Sequence, residues 1–270
     1  MIKKICSFIF FLFFSFSIQA QYHNTEQDSI YSKHLNELRQ IKISIPKSYN
    51  SNSKQKLDVL YVLDGEWATP LTKTAYRFLE YAEFIPKNIL IVSIPNEYKN
   101  GVNMRRRDFT PVRIKNKPVS KGVINFHNFL KDELIPFINK KYATNPQNNI
   151  LYGSSLGGLF SIYSYLENPT LFKSYITIEP VLRLGNHYLN KIAFEKFKQK
   201  TKLKNRLFIS SRDGKDAEDM GITRFKSTLN SNAPNILAWK VNTYPNETHF
   251  SVIWKGLYDG LKFIYKDYAK

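Results

Sequence analysis

Cysteine is all but missing from this chain. The one cysteine, Cys6, lies inside the first twenty residues. Without those residues no thiol is left for a nucleophile, a disulfide or a thiolate-bound metal. Carboxylates are scarce too: 22 Asp and Glu stand against 40 Lys and Arg, for a formal net charge of +18. Such an excess suits anionic ligands or surfaces. Lysines scattered along the whole chain also describe an ordinary solvated surface. After residue 20 no apolar run approaches the ~20 residues that a membrane helix needs. The mature chain is therefore expected to be soluble, with no membrane span. Repeats, low-complexity tracts and nucleic-acid-binding motifs are also lacking, so DNA and RNA are not expected partners.

The first twenty residues, MIKKICSFIFFLFFSFSIQA, have a basic start (Lys3, Lys4), a Phe-rich apolar stretch and a small residue at Ala20. That layout predicts a secretory signal cleaved after Ala20, and with it a secreted or periplasmic protein. Cys6 precedes the apolar core of this leader, so it is not read as a lipid attachment site. The remaining 250 residues suit one α/β domain over 21–270.

Strand and helix patterns alternate through that length. After a polar lead at 21–32, residues 38–46 (LRQIKISIP) alternate like a strand, and 56–65 (KLDVLYVLDG) form a second. The nearly continuous apolar run 88–96 predicts a strand covered on both faces. Helical patterns fall at 67–82, 121–142, 156–166, 188–199, about 220–230 and 251–268, with Pro136 expected to kink the second. Further strands are expected at 149–152, 172–180, 205–211 and 236–244. The stretch 97–120 reads as a long basic loop, and 212–219 (RDGKDAED) as an acidic one. This alternation predicts a mostly parallel sheet with helices on both faces, the first strands pairing antiparallel at one edge. Ligand chemistry then gathers at the carboxyl ends of the strands.

One junction carries chemistry. Gly153-Ser154-Ser155-Leu156-Gly157 fits G-x-S-x-G between a strand and a helix, with Ser155 at its centre. A nucleophile on so sharp a turn leaves no room for side chains two positions away, which explains Gly153 and Gly157. The helix start aims free N–H groups at the site, and the Leu156 N–H can donate to a developing oxyanion. A serine needs an adjacent base. In the order Ser, acid, His, the histidine should follow the last strand, which selects His249 in YPNETHFS over His187. His127 lies on an apolar helix face and reads as a packing residue. The acid is expected in the 212–219 loop, with Asp216 favoured and Asp213 second; Glu179 is an outside candidate. A second oxyanion donor is expected after the 56–65 strand, at the Gly65 or Glu66 N–H. This chemistry requires no metal and no organic cofactor.

Taken together, SKHLNELRQIKISIP, VLYVLDGEW, RRRDFTP, FLKDELIPFINKKY, LYGSSLGGLFSIYSYLENPTLF and ETHFS resemble the esterase family that includes esterase D and the ferric-siderophore, enterobactin-type esterases. The resemblance runs over about residues 29–265. It implies an α/β-hydrolase fold and hydrolysis of carboxylic esters through Ser155 and His249, acting on a small-molecule ester. The basic 105–108 segment matches the family's loop. The resemblance implies that one arginine there pairs with Asp108 and that another, Arg106 or Arg107, meets an anionic substrate. Two departures stand out. After YITIEP this chain reads VLRLGN where relatives often carry aromatic residues, and its acidic loop does not align cleanly with the family's acid position. A siderophore ester and a feruloyl- or acetyl-decorated glycan both fit an exported esterase. Acyl transfer on the same scaffold, or ligand binding without catalysis, are the rival readings.

Overall fold

The computed structural model describes residues 22–52, 54–117, 119–197 and 204–268. The expected leader lies outside the described residues. The sheet begins with β1 (Tyr22–Ser32), β2 (Glu37–Pro46), β3 (Leu57–Leu63) and β4 (Ile89–Ile94), with helix α1 (Gly65–Tyr81) between β3 and β4. It continues with β7 (Thr144–Ser154), β8 (Ser174–Ile178), β9 (Arg206–Arg212) and β10 (Ala238–Tyr244). The strand order is β1-β2-β4-β3-β7-β8-β9-β10. From β4 through β10 every pairing is parallel; β1 with β2 and β2 with β4 are antiparallel. This is the architecture of an α/β-hydrolase fold.

The polar lead proves to be a strand. β1 pairs with β2 along nearly its whole length, from Asn24 opposite Ile45 to Ser32 opposite Glu37. Its outer edge carries the polar residues that conceal it from a hydrophobicity pattern. The stretch 97–120 is also more ordered than a loop. It holds the short antiparallel pair β5 (Tyr98–Lys99) and β6 (Val102–Asn103) and the five-residue helix α2 (Arg105–Phe109). The helix expected at 121–142 is α3 (Val123–Asn128), a π-helical stretch (Phe129–Leu134) and α4 (Ile135–Lys141). Pro136 sits in the first turn of α4, directly after the π-helical stretch. The irregularity lies upstream, in the widened turns.

The sheet separates two apolar layers because successive strand residues face opposite ways. Along β3, Leu57, Val59, Tyr61 and Leu63 enter one cluster, and Leu60 and Val62 the other. α1 and α9 (Val252–Ile264) cover the second layer. The first is covered by α3, the π-helical stretch and α4, together with α5 (Leu156–Glu167), α6 (Leu184–Phe197) and α8 (Ile222–Asn232). Every residue of β3, β4 and β8 is buried. These strands could therefore be read as continuous apolar runs.

Candidate active site

The carboxyl ends of five neighbouring strands converge. β3 leads into Asp64-Gly65, β7 into Ser155, β8 into Glu179, β9 into Arg212, and the segment after β10 carries His249. Three residues immediately after these strands have positive φ although none is glycine: Asp64 (54°), Ser155 (56°) and Glu179 (45°). Such conformations cost of order 1–3 kcal/mol each and persist only where the surroundings fix them.

At Ser155 the fixing is plain. Its φ/ψ of 56°/−113° turns the chain from β7 straight into α5. Its N–H donates to the Ile178 carbonyl at 2.8 Å, and its own carbonyl accepts from Leu159 at 2.9 Å and Val181 at 3.3 Å. Space requires the first flanking glycine and favours the second. A Cβ at Gly153 would lie 2.3 Å from the Gly157 carbonyl oxygen, and one at Gly157 would press on Asp64 Oδ2 at 3.2 Å. Ser154 is buried, while Ser155 and Leu156 remain partly exposed.

The bonds from Ser155 to Ile178 and Val181 bring it beside Glu179. Glu179 is fully buried, and its Oε2 lies 3.3 Å from His249 Nδ1. Arg212 donates to the same carboxylate through its main-chain N–H (2.5 Å) and its Nε (2.9 Å). Burial pushes the Glu179 carboxyl up, but the bonds from His249 and Arg212 outweigh it and hold the group below the usual range. Glu179 is thus an ionised acceptor for the imidazole. Among the described residues no hydrogen bond joins Ser155 Oγ to the His249 ring. In substrate-free enzymes such contacts are often long and tighten only when substrate is bound.

The expected acid stands elsewhere. Asp216 is half-exposed and pairs with Arg212 Nη1 at 2.7 Å. Asp213 stands at the N-cap position of α7 (Gly214–Met220), a helix where a loop was expected, and its side chain makes no capping bond. The carboxylate that faces His249 is Glu179, from the end of the preceding strand. A buried acid at the end of the apolar run SYITI needs a partner; its signal in the sequence was its place at a strand end, which made it the outside candidate. His187 lies in a left-handed turn with Gly185 and Asn186, away from this arrangement. His127 is buried and packs against Phe160 and Tyr163.

On the other side of Ser155, the loop from β3 into α1 is clamped. Asp64 is fully buried and receives Arg105 on both oxygens, Nε to Oδ1 at 2.5 Å and Nη2 to Oδ2 at 2.7 Å. The same Nη2 donates to the Ser154 carbonyl at 3.1 Å. Asn96 Nδ2 donates to Asp64 at 2.8 Å and to Glu66 at 2.6 Å. One guanidinium therefore ties the start of α1 to the end of β7. The Gly65 and Glu66 N–H groups lie in the first turn of α1, and the Leu156 N–H lies at the start of α5. Gly65 admits no side chain, since a Cβ would lie 2.2 Å from Ser93 Oγ.

The arginines of the 105–107 run have separate surroundings. Arg107 is held by two bonds to Glu37, at 2.8 and 2.6 Å, and by one to Asp108 at 2.7 Å. Buried Arg39 completes that network through Glu37 and Asp108. Arg107 is thus a structural partner rather than a free cation for substrate. Arg106 alone of the three is exposed.

The sequence profile of the family described as "Putative esterase" matches residues 32–241. Ferri-bacillibactin esterase BesA of Bacillus subtilis is 28% identical over 171 residues, 58% of this chain and 58% of its own length. Apo-salmochelin esterase of Escherichia coli is 28% identical over 137 residues, 47% of this chain and 42% of its own. The chain thus spans about half the length of these curated relatives. Among solved structures, an IroE-like serine hydrolase from Shewanella oneidensis superposes with a TM-score of 0.79 at 28% identity, covering 92% of this chain and 82% of that one. The BES protein from Bacillus cereus superposes with a TM-score of 0.76 at 25% identity, covering 89% and 96%. The profile match spans most of the sheet and the serine turn, and the chain belongs to this esterase family.

Proposed function

We propose that the protein is a serine esterase with Ser155 as nucleophile, His249 as base and Glu179 as the supporting acid. The observation that carries this reading is the strained backbone of Ser155, a non-glycine residue at φ 56° on a strand-to-helix turn. Strain of that kind collects at functional sites. Ser155 Oγ attacks the ester carbonyl carbon as His249 takes the hydroxyl proton. The oxygen that gains charge is met by the Leu156 N–H and by the Gly65 or Glu66 N–H. Glu179 holds the imidazole by its Nδ1 side and stabilises the imidazolium. His249 then gives the proton to the departing alcohol. A water molecule, deprotonated by His249, attacks the acyl-enzyme and restores Ser155.

For the substrate we favour a siderophore-type ester with anionic character. The curated relatives are named as esterases of ferri-bacillibactin and apo-salmochelin, the chain carries a net charge of +18, and Arg106 is exposed two residues from Asp108. Trp67 and Phe250, exposed beside Glu66 and His249, suit an aromatic acyl group. Residues 1–20 support export, where such an ester would be met. Among the described residues no helix is long and apolar enough to cross a membrane.

The test is turnover of a p-nitrophenyl acetate and butyrate series, then of a catecholate trilactone. Activity in the wild type and its loss in Ser155→Ala support the reading. No turnover of any ester, with no labelling of Ser155 by a phosphonate, overturns it. Product analysis with an added acceptor alcohol separates hydrolysis from acyl transfer.

A further inference from the structure

Glu179 Oε2 is shared. His249 Nδ1 lies 3.3 Å from it and Arg212 Nε lies 2.9 Å from it, so the arginine is the nearer partner. Arg212 in turn places Nη1 2.7 Å from Asp216 Oδ2. Charges therefore alternate outward from the imidazole: Glu179 negative, Arg212 positive, Asp216 negative. Side-chain exposure rises along the same line, from 0% at Glu179 to 17% at Arg212 and 49% at Asp216. The other charged groups near His249 in the chain, Glu247 on its own segment and Lys255 on α9, pair with each other at 2.5 Å.

An imidazole backed by an undivided buried carboxylate would hold its proton tightly. A base works best when its proton affinity lies near the operating pH. A guanidinium already bound to the carboxylate weakens the hold of Glu179 on the imidazolium, and it adds a repulsive positive charge. A carboxylate on the far side of that guanidinium restores part of the attraction.

We propose that Arg212 is a positioning residue that limits how readily His249 takes a proton, and that Asp216 on α7 moderates Arg212. The proposal rests on the esterase reading for its kinetic consequence, but its electrostatic core concerns His249 alone. It also gives the acidic stretch after β9 a role at one remove from the catalytic group.

Two readouts test it. The first is NMR titration of the His249 ring in a Ser155→Ala background, which needs no turnover. The second is the acid limb of the kcat/KM profile against pH. Arg212→Gln is expected to move both midpoints upward by about one pH unit. Asp216→Asn is expected to move them downward by a smaller amount, and Arg212→Lys to stay near the wild type because the charge is kept. Removing one member of a buried pair is costly to stability. If Arg212→Gln does not fold, the comparison of Asp216→Asn with Arg212→Lys decides, since Asp216 is half-exposed. A fixed or upward midpoint in Asp216→Asn, or a fixed or downward one in Arg212→Gln, overturns the proposal. Absence of any esterase turnover in the wild type would instead sink the catalytic reading, and the NMR titration would still decide this one.

Discussion

The strain at Ser155 can be measured by comparing two substitutions at that one position. Ser155→Ala keeps a Cβ at φ 56°, and with it the steric conflict; Ser155→Gly removes both. At an ordinary position glycine is less stable than alanine by roughly 0.5–1 kcal/mol, because its unfolded chain has more freedom to lose. At a position this sparsely populated, the conflict for a non-glycine residue is of order 1–3 kcal/mol. The difference favours glycine by about 1 kcal/mol. Little else separates the two variants. Ser155 is partly exposed, so the lost Cβ contacts are few, and its three backbone hydrogen bonds to Ile178, Leu159 and Val181 survive in both. For a domain of this size, about 1 kcal/mol moves the midpoint of thermal unfolding by ~2–4 °C. Scanning calorimetry of the two inactive variants side by side is the assay. Ser155→Gly should melt higher than Ser155→Ala. An alanine variant equal to or above the glycine variant would mean that the turn relaxes at no cost, and the strained-nucleophile argument would fail.

Other substitutions probe the partners of Ser155. Glu179→Gln keeps the side-chain shape but loses the charge that steadies the imidazolium, so kcat should fall by ~10²–10⁴ with a much smaller change in KM; an unchanged kcat would remove Glu179 from the mechanism. Arg105→Ala cuts the tie between Asp64 and the Ser154 carbonyl, which should loosen the oxyanion donors and lower kcat by ~10²–10³. Added guanidinium should restore part of that rate, and a loss seen only in KM would contradict the assignment. Glu37 reports on acid stability. Burial raises its proton affinity, but bonds from Arg107, Lys99 and Arg39 overcome this and bring it from 4.5 down to about 2. A lowered carboxyl stabilises the fold fully above its unfolded value near 4.5 and loses that contribution as pH falls toward about 2. The shift corresponds to at most roughly 3 kcal/mol. Urea unfolding of Glu37→Gln should therefore show a weaker pH dependence than wild type as pH falls from 4.5 toward about 2.

What could be read from the sequence follows from how far each feature depends on neighbours in space. β3, β4 and β8 announce themselves because burial on both faces leaves only apolar residues. The serine turn is legible because its geometry excludes a side chain at 153 and crowds one at 157, and glycine records both. β1 was hidden because an edge strand with polar residues owes its existence to β2 rather than to its own pattern. The carboxylate was the hardest element to assign. Position alone favoured Asp216, which follows the penultimate strand at a distance that would let it swing toward His249. Yet acids at the surface of a short helix keep their contact with water, whereas one acid driven to full burial at the end of β8 must find a partner. Glu179 finds two, His249 and Arg212, and neither lies within thirty residues of it. The same reasoning separates Arg106 from its neighbours. Arg105 and Arg107 are claimed by Asp64, Glu37 and Asp108, acids brought to them from β2, from the end of β3 and from α2 itself. Arg106 is left exposed in a run where composition treats all three alike. Which arginine can meet a substrate is therefore decided by where the acids of the fold have already been spent, and that pairing exists only once the sheet has formed.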